Sequence, residues 1–380
     1  MTLYLPAESL WLIGLHETPG IGWLSIQRLK AIADERQIRA EDLFDLSPED
    51  WSSFGAERKL AAAAGKLNRK RTEERAEILA SKGIVPVTFA DGEYPTLMKE
   101  TAQAPWVLYT IGRRELLADF GIAVVGTRMP TSYGRIVCER ISGTLAERGV
   151  CLISGMARGI DGFCHREALK RGGSTIAVLG AGVDVVYPPE HRQLHQDIAR
   201  HGLLVSEFPP GTRPSPGLFP LRNRIIAGLS RGVLIVEAAQ RSGSLITADY
   251  ALENGRDVFA VPGSVTSPKS AGTFELIKHG AKPCATADDI LEEYSHLFVS
   301  AAADREKKEV HEKLTKEERK IYVILEQGDA SIDELQRETS WEFGLLHSVL
   351  LSLIIKSQVK SLSGAVYTWT GDRSADPDLH

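Results

Sequence analysis

From about Gly83 onward, short apolar segments alternate with amphipathic segments of helical length, and this alternation is the feature that most constrains the fold. The apolar segments are rich in β-branched residues and bounded by glycine, as is typical of strands buried on both faces of a parallel sheet. Strands are predicted at residues 85–89, 107–111, 122–125, 151–154, 175–179, 203–206, 232–236 and 258–261. Helices between most of them supply crossover connections, so the sequence predicts an α/β fold with a doubly wound, mostly parallel sheet.

The two flanks of this segment predict separate small domains. Residues 1–80 carry helical patterns and no strand-like run, which predicts a helical domain. Its helices are expected at residues 9–15, 21–33, 40–46 and 57–82, with a turn near Pro48. The glycine-rich turn at residues 18–22 outlines a helix-hairpin-helix that can offer N–H groups to phosphate, although a plain interhelical turn is the favoured alternative.

The carboxyl-terminal flank predicts a different small domain. After the sheet domain at residues 81–298, a charged linker is expected at 299–315 and a frayed tail at 372–380. Between them, residues 316–371 predict three helices and a hairpin, the outline of a winged helix. The last of these helices carries one fixed positive charge, Lys356, so we expect this domain to bind a partner or support a dimer.

Composition excludes several classes of protein. The 380 residues carry a net charge of −5 and a pI of about 6.1, so a general basic coat for duplex DNA is absent and any nucleic acid must lie in a confined groove. The four cysteines form no CxxC pair, which argues against a disulfide framework or a zinc ribbon. Neither a signal peptide nor a membrane-spanning run is predicted, so we expect a cytoplasmic protein.

Two predicted strand-to-helix turns have the composition of an anion site. In the first, a strand ends at Gly126, Thr127 and Arg128 follow, and a helix is expected to begin near Thr131. Glycine lets the backbone approach an anion, and the helix N-terminus supplies N–H donors. A turn with only a structural role and an exposed arginine explains this pattern equally well. The second turn carries Arg158, which projects beside Arg128 if the two strands are neighbours.

A third turn, at residues 180–182, begins like a dinucleotide fingerprint. The fingerprint fails at its last glycine, so NAD binding is disfavoured and no cofactor is predicted. The helix that follows carries His191, Arg192 and His195, which can touch a backbone phosphate.

The stretch at residues 219–230 concentrates the groups that hold single-stranded nucleic acid. The Phe219 ring can stack a base, the Asn223 amide can read a base edge, and Arg222 and Arg224 can hold flanking phosphates. One of the two arginines is expected instead to pair with a carboxylate and support the fold; the candidates are Glu207 and Glu237. Further along, Ser242, Gly243 and Ser244 form another strand-to-helix anion cradle.

No catalytic set accompanies these cradles. The sequence lacks the P-loop, HExxH and GxSxG motifs, and no carboxylate pair is placed for metal-assisted hydrolysis. Asp161 and His165 stand one helical turn apart, but without a nucleophile nearby they are favoured as a helix-surface contact. The sequence therefore predicts binding without turnover and without a metal.

Taken together, these turns resemble the DNA-processing protein A (DprA/Smf) family. The resemblance covers roughly residues 85–290 and rests on five motifs in the family's order. They are Val125-Gly126-Thr127-Arg128, Ser154-Gly155-Met156-Ala157-Arg158-Gly159-Ile160-Asp161, Phe219-Pro220-Leu221-Arg222-Asn223-Arg224-Ile225-Ile226-Ala227-Gly228-Leu229-Ser230, Ser242-Gly243-Ser244 and Val261-Pro262-Gly263. Thr127 replaces the family's usual serine and keeps its hydroxyl.

The resemblance implies an extended Rossmann domain with a SAM-like helical domain before it and a winged helix of the DML1-like type after it. It implies a non-catalytic, single-stranded DNA-binding mediator that protects incoming DNA and loads RecA during natural transformation and homologous recombination. It also implies a homodimer formed through the Rossmann domain, with single-strand-binding protein as a further partner. The implied DNA-binding residues are Gly126, Thr127, Arg128, Arg158, Arg192, Phe219, Arg222, Asn223, Arg224, Ser242, Gly243 and Ser244.

An enzyme is the alternative. The predicted sheet and its Ser/Gly cradle are similar to those of the nucleotide-cleaving LOG phosphoribohydrolases. Those enzymes need a PGGxGT loop followed by a catalytic glutamate, whereas this chain has Arg241-Ser242-Gly243-Ser244, and Glu253 does not fit the spacing.

Overall fold

The computed structural model describes residues 5–295, 314–356, 358–362 and 365–369. The chain forms two compact units, Met1–Glu292 and Glu293–His380. Most of the predicted linker at 299–315 and all of the predicted tail at 372–380 lie outside the described residues.

A nine-stranded sheet dominates the first unit; eight of its strands fall almost where the apolar segments predict, and the short ninth strand at residues 282–283 was not predicted. Its strands are β1 (Val85–Thr88), β2 (Val107–Gly112), β3 (Gly121–Val125), β4 (Cys151–Ser154), β5 (Thr175–Val178), β6 (Leu203–Ser206), β7 (Gly232–Ile235), β8 (Asp257–Ala260) and β9 (Lys282–Pro283). They are arranged in the order β1-β2-β6-β5-β4-β3-β7-β8-β9. The pairs β1–β2 and β2–β6 are antiparallel and the others are parallel, which confirms the doubly wound, mostly parallel sheet.

Helices precede the sheet and connect its strands. They are α1 (Ala7–His16), α2 (Trp23–Glu35), α3 (Pro48–Ser53), α4 (Arg58–Ala64), α5 (Arg69–Ser81), α6 (Thr96–Lys99), α7 (Ser132–Glu147), α8 (Ile160–Lys170), α9 (Arg192–His201), α10 (Leu218–Leu229), α11 (Gly243–Glu253), α12 (Ala271–Lys278) and α13 (Asp288–Leu291). Both faces of the sheet are covered: on β6, Leu203 and Val205 belong to one core and Leu204 to the other. Burial on both faces explains why the strands are continuously apolar.

The topology places a ligand crevice beyond the carboxyl ends of the central strands. From β3 the chain proceeds through β4, β5 and β6 on one side, then returns to β7 on the other side of β3. Such a reversal separates the loops that follow the two central strands and opens a crevice beyond their carboxyl ends. The turns after β3 and β7 therefore face the position where a ligand binds in sheets of this kind.

The helical segments differ from the predictions in detail. The stretch at residues 219–230 lies on helix α10, which tolerates Pro220 because this residue is in the first helical turn, where its missing N–H costs no hydrogen bond. The expected turn near Pro48 lies at residues 43–45, and a short helix follows it: Ser47 caps α3 and Pro48 is its first residue. The long helix expected at 57–82 is divided into α4 and α5.

The amino-terminal helices pack onto the sheet within the same compact unit. Trp23 donates its indole N–H to the Ala104 carbonyl at 2.7 Å. Tyr109 on β2 donates its hydroxyl to Glu17 at 3.1 Å, and Arg75 forms an ion pair with the same carboxylate at 2.7 Å. These contacts fix the helices to one edge of the sheet and away from the crevice strands β3 and β7.

The second unit has the elements of a winged helix. They are α14 (Lys316–Gln327), β10 (Ala330–Ser331), α15 (Ile332–Thr339), α16 (Phe343–Ile355), β11 (Val359–Leu362) and β12 (Val366–Trp369). Ser331 and Glu334 form a capping box at the start of α15. The one fixed cation predicted for the last helix, Lys356, forms an ion pair with Glu318 at 2.7 Å.

Candidate nucleic-acid interface

The loops beyond β3, β4, β5 and β7 enclose a cleft with two chambers. The narrow first chamber lies between the loop after β4 and the loop after β5. The second chamber has a volume of about 440 Å³ and reaches the amino terminus of α11. The two chambers share five lining residues: Arg128, Ala157, Tyr187, Phe219 and Arg222.

The Phe219 ring stands where the two chambers meet. Its centroid lies 5.6 Å from the guanidinium carbon of Arg128 and 5.4 Å from the centroid of the Tyr187 ring, with 30° between the two ring planes. An arginine and two aromatic rings thus form a continuous stack that is partly open to solvent. Such a stack presents π faces to a base and a positive charge to the adjoining phosphate.

The turn after β3 positions Arg128 at this stack. Thr127 donates its N–H to the Glu237 carbonyl at 2.7 Å, which joins the turn to the end of β7. Gly126 is required here, because an added Cβ would lie 2.7 Å from the Ile160 side chain. Helix α7 then begins as predicted, with Thr131 as its N-cap. Arg128 is exposed and forms no ion pair with any residue that the structure describes.

Glu237 stabilises the same helix end. Its buried carboxylate accepts hydrogen bonds from the N–H of Thr131 at 2.8 Å and from the Thr131 hydroxyl at 2.5 Å. A carboxylate at a helix amino terminus is stabilised by the free N–H groups and the helix dipole. Glu237 therefore stabilises the amino terminus of α7, and it is not the partner of either arginine on α10.

Arg158 follows β4 and lies at the rim of the first chamber. Because β3 and β4 are neighbours, Arg158 and Arg128 line the same chamber, as the sequence predicts. Arg158 forms an ion pair with Glu190. The hydrogen bond from Arg158 lowers the pKa of the Glu190 carboxyl to about 2, so this carboxylate is ionised at neutral pH. A phosphate that binds Arg158 would compete with Glu190.

Arg222 supports the cleft from inside. It is 4% exposed, and it donates to the carbonyls of Gly155 and Val178. Asp161 accepts from the N–H groups of Gly155 and Ala157 on the same loop. Burial lowers the pKa of Arg222 to about 10 and raises the pKa of Asp161, while the attraction between the two opposes both shifts.

Arg224 does not line either chamber. It is 8% exposed, pairs with Glu207 and donates to the Gln103 carbonyl. Arg224 is thus the arginine that pairs with a carboxylate, and its partner is Glu207, one of the two candidates named from the sequence. The second arginine, Arg222, is also buried, so the helix turns both guanidiniums inward. Burial raises the pKa of Glu207, and the charge of Arg224 opposes that increase.

The remaining cradle residues lie around the second chamber. Asn223 donates its amide to the Gly243 carbonyl at 3.1 Å and accepts from Arg222 Nε at 3.2 Å, so it joins α10 to α11. Ser242 is the N-cap of α11, and its Oγ lies 2.8 Å from Oγ of Ser244. The start of α11 brings N–H groups and hydroxyls to the chamber, an arrangement that suits an anion.

Three histidines take structural positions. His191 and His195 were expected to touch a phosphate, but both are buried and hydrogen-bond to the carbonyls of Met156 and Val183. Arg192, the third expected contact on that helix, is exposed but does not line the two chambers. The expected surface contact between Asp161 and His165 is wrong, because both side chains are buried and His165 bonds to Thr175 Oγ1 at 2.7 Å.

Sequence reasoning missed one member of the stack. Tyr187 lines both chambers and is 39% exposed, and a tyrosine in a loop that follows a glycine-rich strand end was the available signal. In the described part of the chain, no group of three or more His, Cys, Asp or Glu side chains is placed to hold a metal ion. Among the same residues, no helix combines the length and apolarity that a membrane crossing requires.

Comparison with known proteins gives one consistent family. Residues 86–295 match the family described as DNA recombination-mediator protein A. The DNA processing protein DprA of Bacillus subtilis is 44% identical over 213 residues, which are 56% of this chain and 72% of that protein.

Solved structures agree with this match. The X-ray structure of DNA processing protein A from Streptococcus pneumoniae has a TM-score of 0.66 and 33% identity, covering 77% of this chain and 99% of that one. A structure describing the single-stranded DNA binding mode of DNA processing protein A from Helicobacter pylori has a TM-score of 0.51 and 29% identity, covering 56% and 96%. The alternative of a LOG-like enzyme is not favoured by these matches. The chain belongs to the DNA recombination-mediator protein A family.

Proposed function

We propose that the cleft binds single-stranded DNA, with bases stacked at Phe219 and Tyr187 and a backbone phosphate held by Arg128. The observation that carries this proposal is the continuous stack of Arg128, Phe219 and Tyr187 at the carboxyl edge of the sheet. A duplex keeps its bases paired inside, whereas single strands offer exposed base faces to aromatic rings. The net charge of −5 is compatible with a confined site of this kind.

The predicted site residues then divide into three groups. The proposed DNA contacts surround the chambers: Gly126, Thr127, Arg128, Arg158, Phe219, Asn223, Ser242, Gly243 and Ser244. Arg222 and Arg224 act in this proposal as positioning residues, because their guanidiniums are buried and bonded to protein groups. Arg192 is a peripheral contact, available only to a strand that leaves the cleft over α9.

We further propose that the protein is a mediator rather than an enzyme. It would protect incoming single strands, displace single-strand-binding protein and load RecA, acting in the cytoplasm as a homodimer formed through the sheet domain. Membership of a DNA recombination-mediator family supports this role. The cleft also offers no nucleophile paired with a base: in the described residues, Asp161 and His165 bond to backbone and threonine instead of to each other.

A binding and loading experiment tests both parts. The protein should shift a short oligothymidylate in a gel and should increase RecA assembly on strands coated with single-strand-binding protein. If it binds the oligonucleotide but leaves RecA assembly unchanged, the mediator role fails while the cleft assignment stands. Release of free base from nucleoside monophosphates would contradict the non-catalytic proposal.

A further inference from the structure

Beyond the cleft, helices α7 and α8 carry a second basic and aromatic surface. Phe163 is half-buried on α8, and two guanidiniums lie against its ring. The guanidinium carbon of Arg135 is 5.0 Å from the ring centroid, and that of Arg166 is 5.2 Å away. We call these three residues the α7–α8 platform.

The platform carries positive charge that the protein does not fully neutralise. Arg135 forms an ion pair with Glu139 at 2.8 Å, whereas Arg166 has no ion pair with the residues that the structure describes. Burial and the neighbouring Arg135 lower the pKa of Arg166, and Glu139 opposes that shift only in part. Two like charges held against one ring are stabilised by an anion between or beside them.

The platform is continuous with the cleft. Gly159, the N-cap of α8, is so close to the Arg128 turn that an added Cβ would lie 2.3 Å from the Thr127 carbonyl oxygen. Phe163 follows four residues later, about 6 Å further along the helix axis. A strand whose phosphate lies at Arg128 can therefore continue over the platform, since the one acidic residue in the first turn of α8, Asp161, is buried.

We propose that the α7–α8 platform is an extension of the DNA site, on which a base stacks at Phe163 and a phosphate binds Arg166 after the strand leaves the cleft. The inference rests on the proposed function of the cleft. It follows from the same chemistry, since single-stranded DNA sites combine aromatic faces with cations along a track. It predicts that this protein binds longer strands more tightly than the cleft alone allows.

Oligonucleotides of two lengths distinguish the contribution of the platform to binding from that of the cleft. Binding is measured with oligothymidylates of about five and about fifteen nucleotides, which lie near the two ends of the range of site sizes of small single-strand folds. Arg166→Ala should weaken binding of the longer strand about five-fold and lower its salt slope by about 0.7, the value for one phosphate contact. Binding of the shorter strand should stay unchanged. Phe163→Leu should weaken binding of the longer strand without changing the salt slope.

The matched control is Arg148→Ala. Arg148 is an exposed arginine on the other end of α7, thirteen residues from Arg135 and thus about 20 Å away. It should leave both affinities unchanged. If Arg166→Ala behaves like this control with the longer strand, the platform proposal is overturned. If the unaltered protein binds neither strand, the proposed function of the cleft has failed as well.

Discussion

The Arg128 guanidinium lies 5.6 Å from the centre of the Phe219 ring. The two residues come from the turn after β3 and from the first turn of α10, and the reversal of strand order in the sheet brings these segments together. Their contact links a cation to an aromatic pair that continues to Tyr187. A base stacked on an open ring face of this group and a phosphate beside Arg128 would use all three side chains.

The ion pair between Arg158 and Glu190 should weaken DNA binding, because Glu190 occupies the guanidinium and repels phosphate. Glu190→Gln removes that charge, and we expect it to tighten binding of a fluorescent oligothymidylate about two- to five-fold, the scale of an exposed ion pair. The gain should disappear in the Arg158→Ala background. A Glu190→Gln variant with unchanged affinity would argue that Arg158 does not contact DNA.

The buried pair of Arg224 and Glu207 should matter for folding. Arg224→Ala leaves the Glu207 carboxylate buried without its partner, so the free energy of unfolding in urea should fall by about 3–5 kcal/mol. Replacing both partners, as Arg224→Met with Glu207→Leu, should recover most of that loss. If instead Arg224→Ala keeps its stability and loses oligonucleotide affinity, Arg224 belongs to the DNA contacts.

His165 should make stability depend on pH. Burial lowers the pKa of this histidine to about 3 in the folded protein, while its ordinary value is 6.5. Below pH 6.5 the unfolded chain takes up a proton that the folded chain refuses, so stability is lost as the pH falls toward 3. Between about pH 7.5 and about pH 5 the loss should be about 2 kcal/mol for this group.

The variant His165→Leu isolates that contribution. Thr175 keeps its hydrogen bond to the Leu152 carbonyl at 2.7 Å, so its hydroxyl stays satisfied. Denaturant unfolding at the two pH values should show a smaller difference in the variant, and His16, whose pKa burial lowers to about 4, should account for part of what is left. An unchanged difference would exclude His165 as a source of the acid sensitivity.

Much of the fold follows from local sequence. The first eight β-strands are predictable because they are largely apolar and end at glycine or a turn, as at Cys151–Ser154 and Leu203–Ser206, whereas the short strand Lys282–Pro283 has no such signal. The capping box of Ser331 and Glu334 marks the start of a helix in the same local way. Helix α10 is not predictable from local sequence, because its Pro220 and two arginines are typical of a loop.

The partners of the site residues could not be predicted from the sequence. The sequence identifies Arg222 and Arg224 as cations, but only the tertiary structure shows that one meets loop carbonyls and the other meets Glu207. The platform is hidden for the same reason, because Arg135 and Phe163 lie on different helices and become neighbours only when α7 packs against α8. Residue type predicts chemistry here, and packing decides which groups remain available to a ligand.

In the proposed function, Arg128 holds a phosphate of single-stranded DNA within the cleft. The most direct measurement is the salt dependence of oligothymidylate affinity for the unaltered protein, Arg128→Ala and the control Arg148→Ala. We expect much weaker binding by Arg128→Ala and a slope reduced by about 0.7, with the control unchanged. A folded Arg128→Ala protein that keeps the affinity and slope of the unaltered protein would contradict this assignment of Arg128.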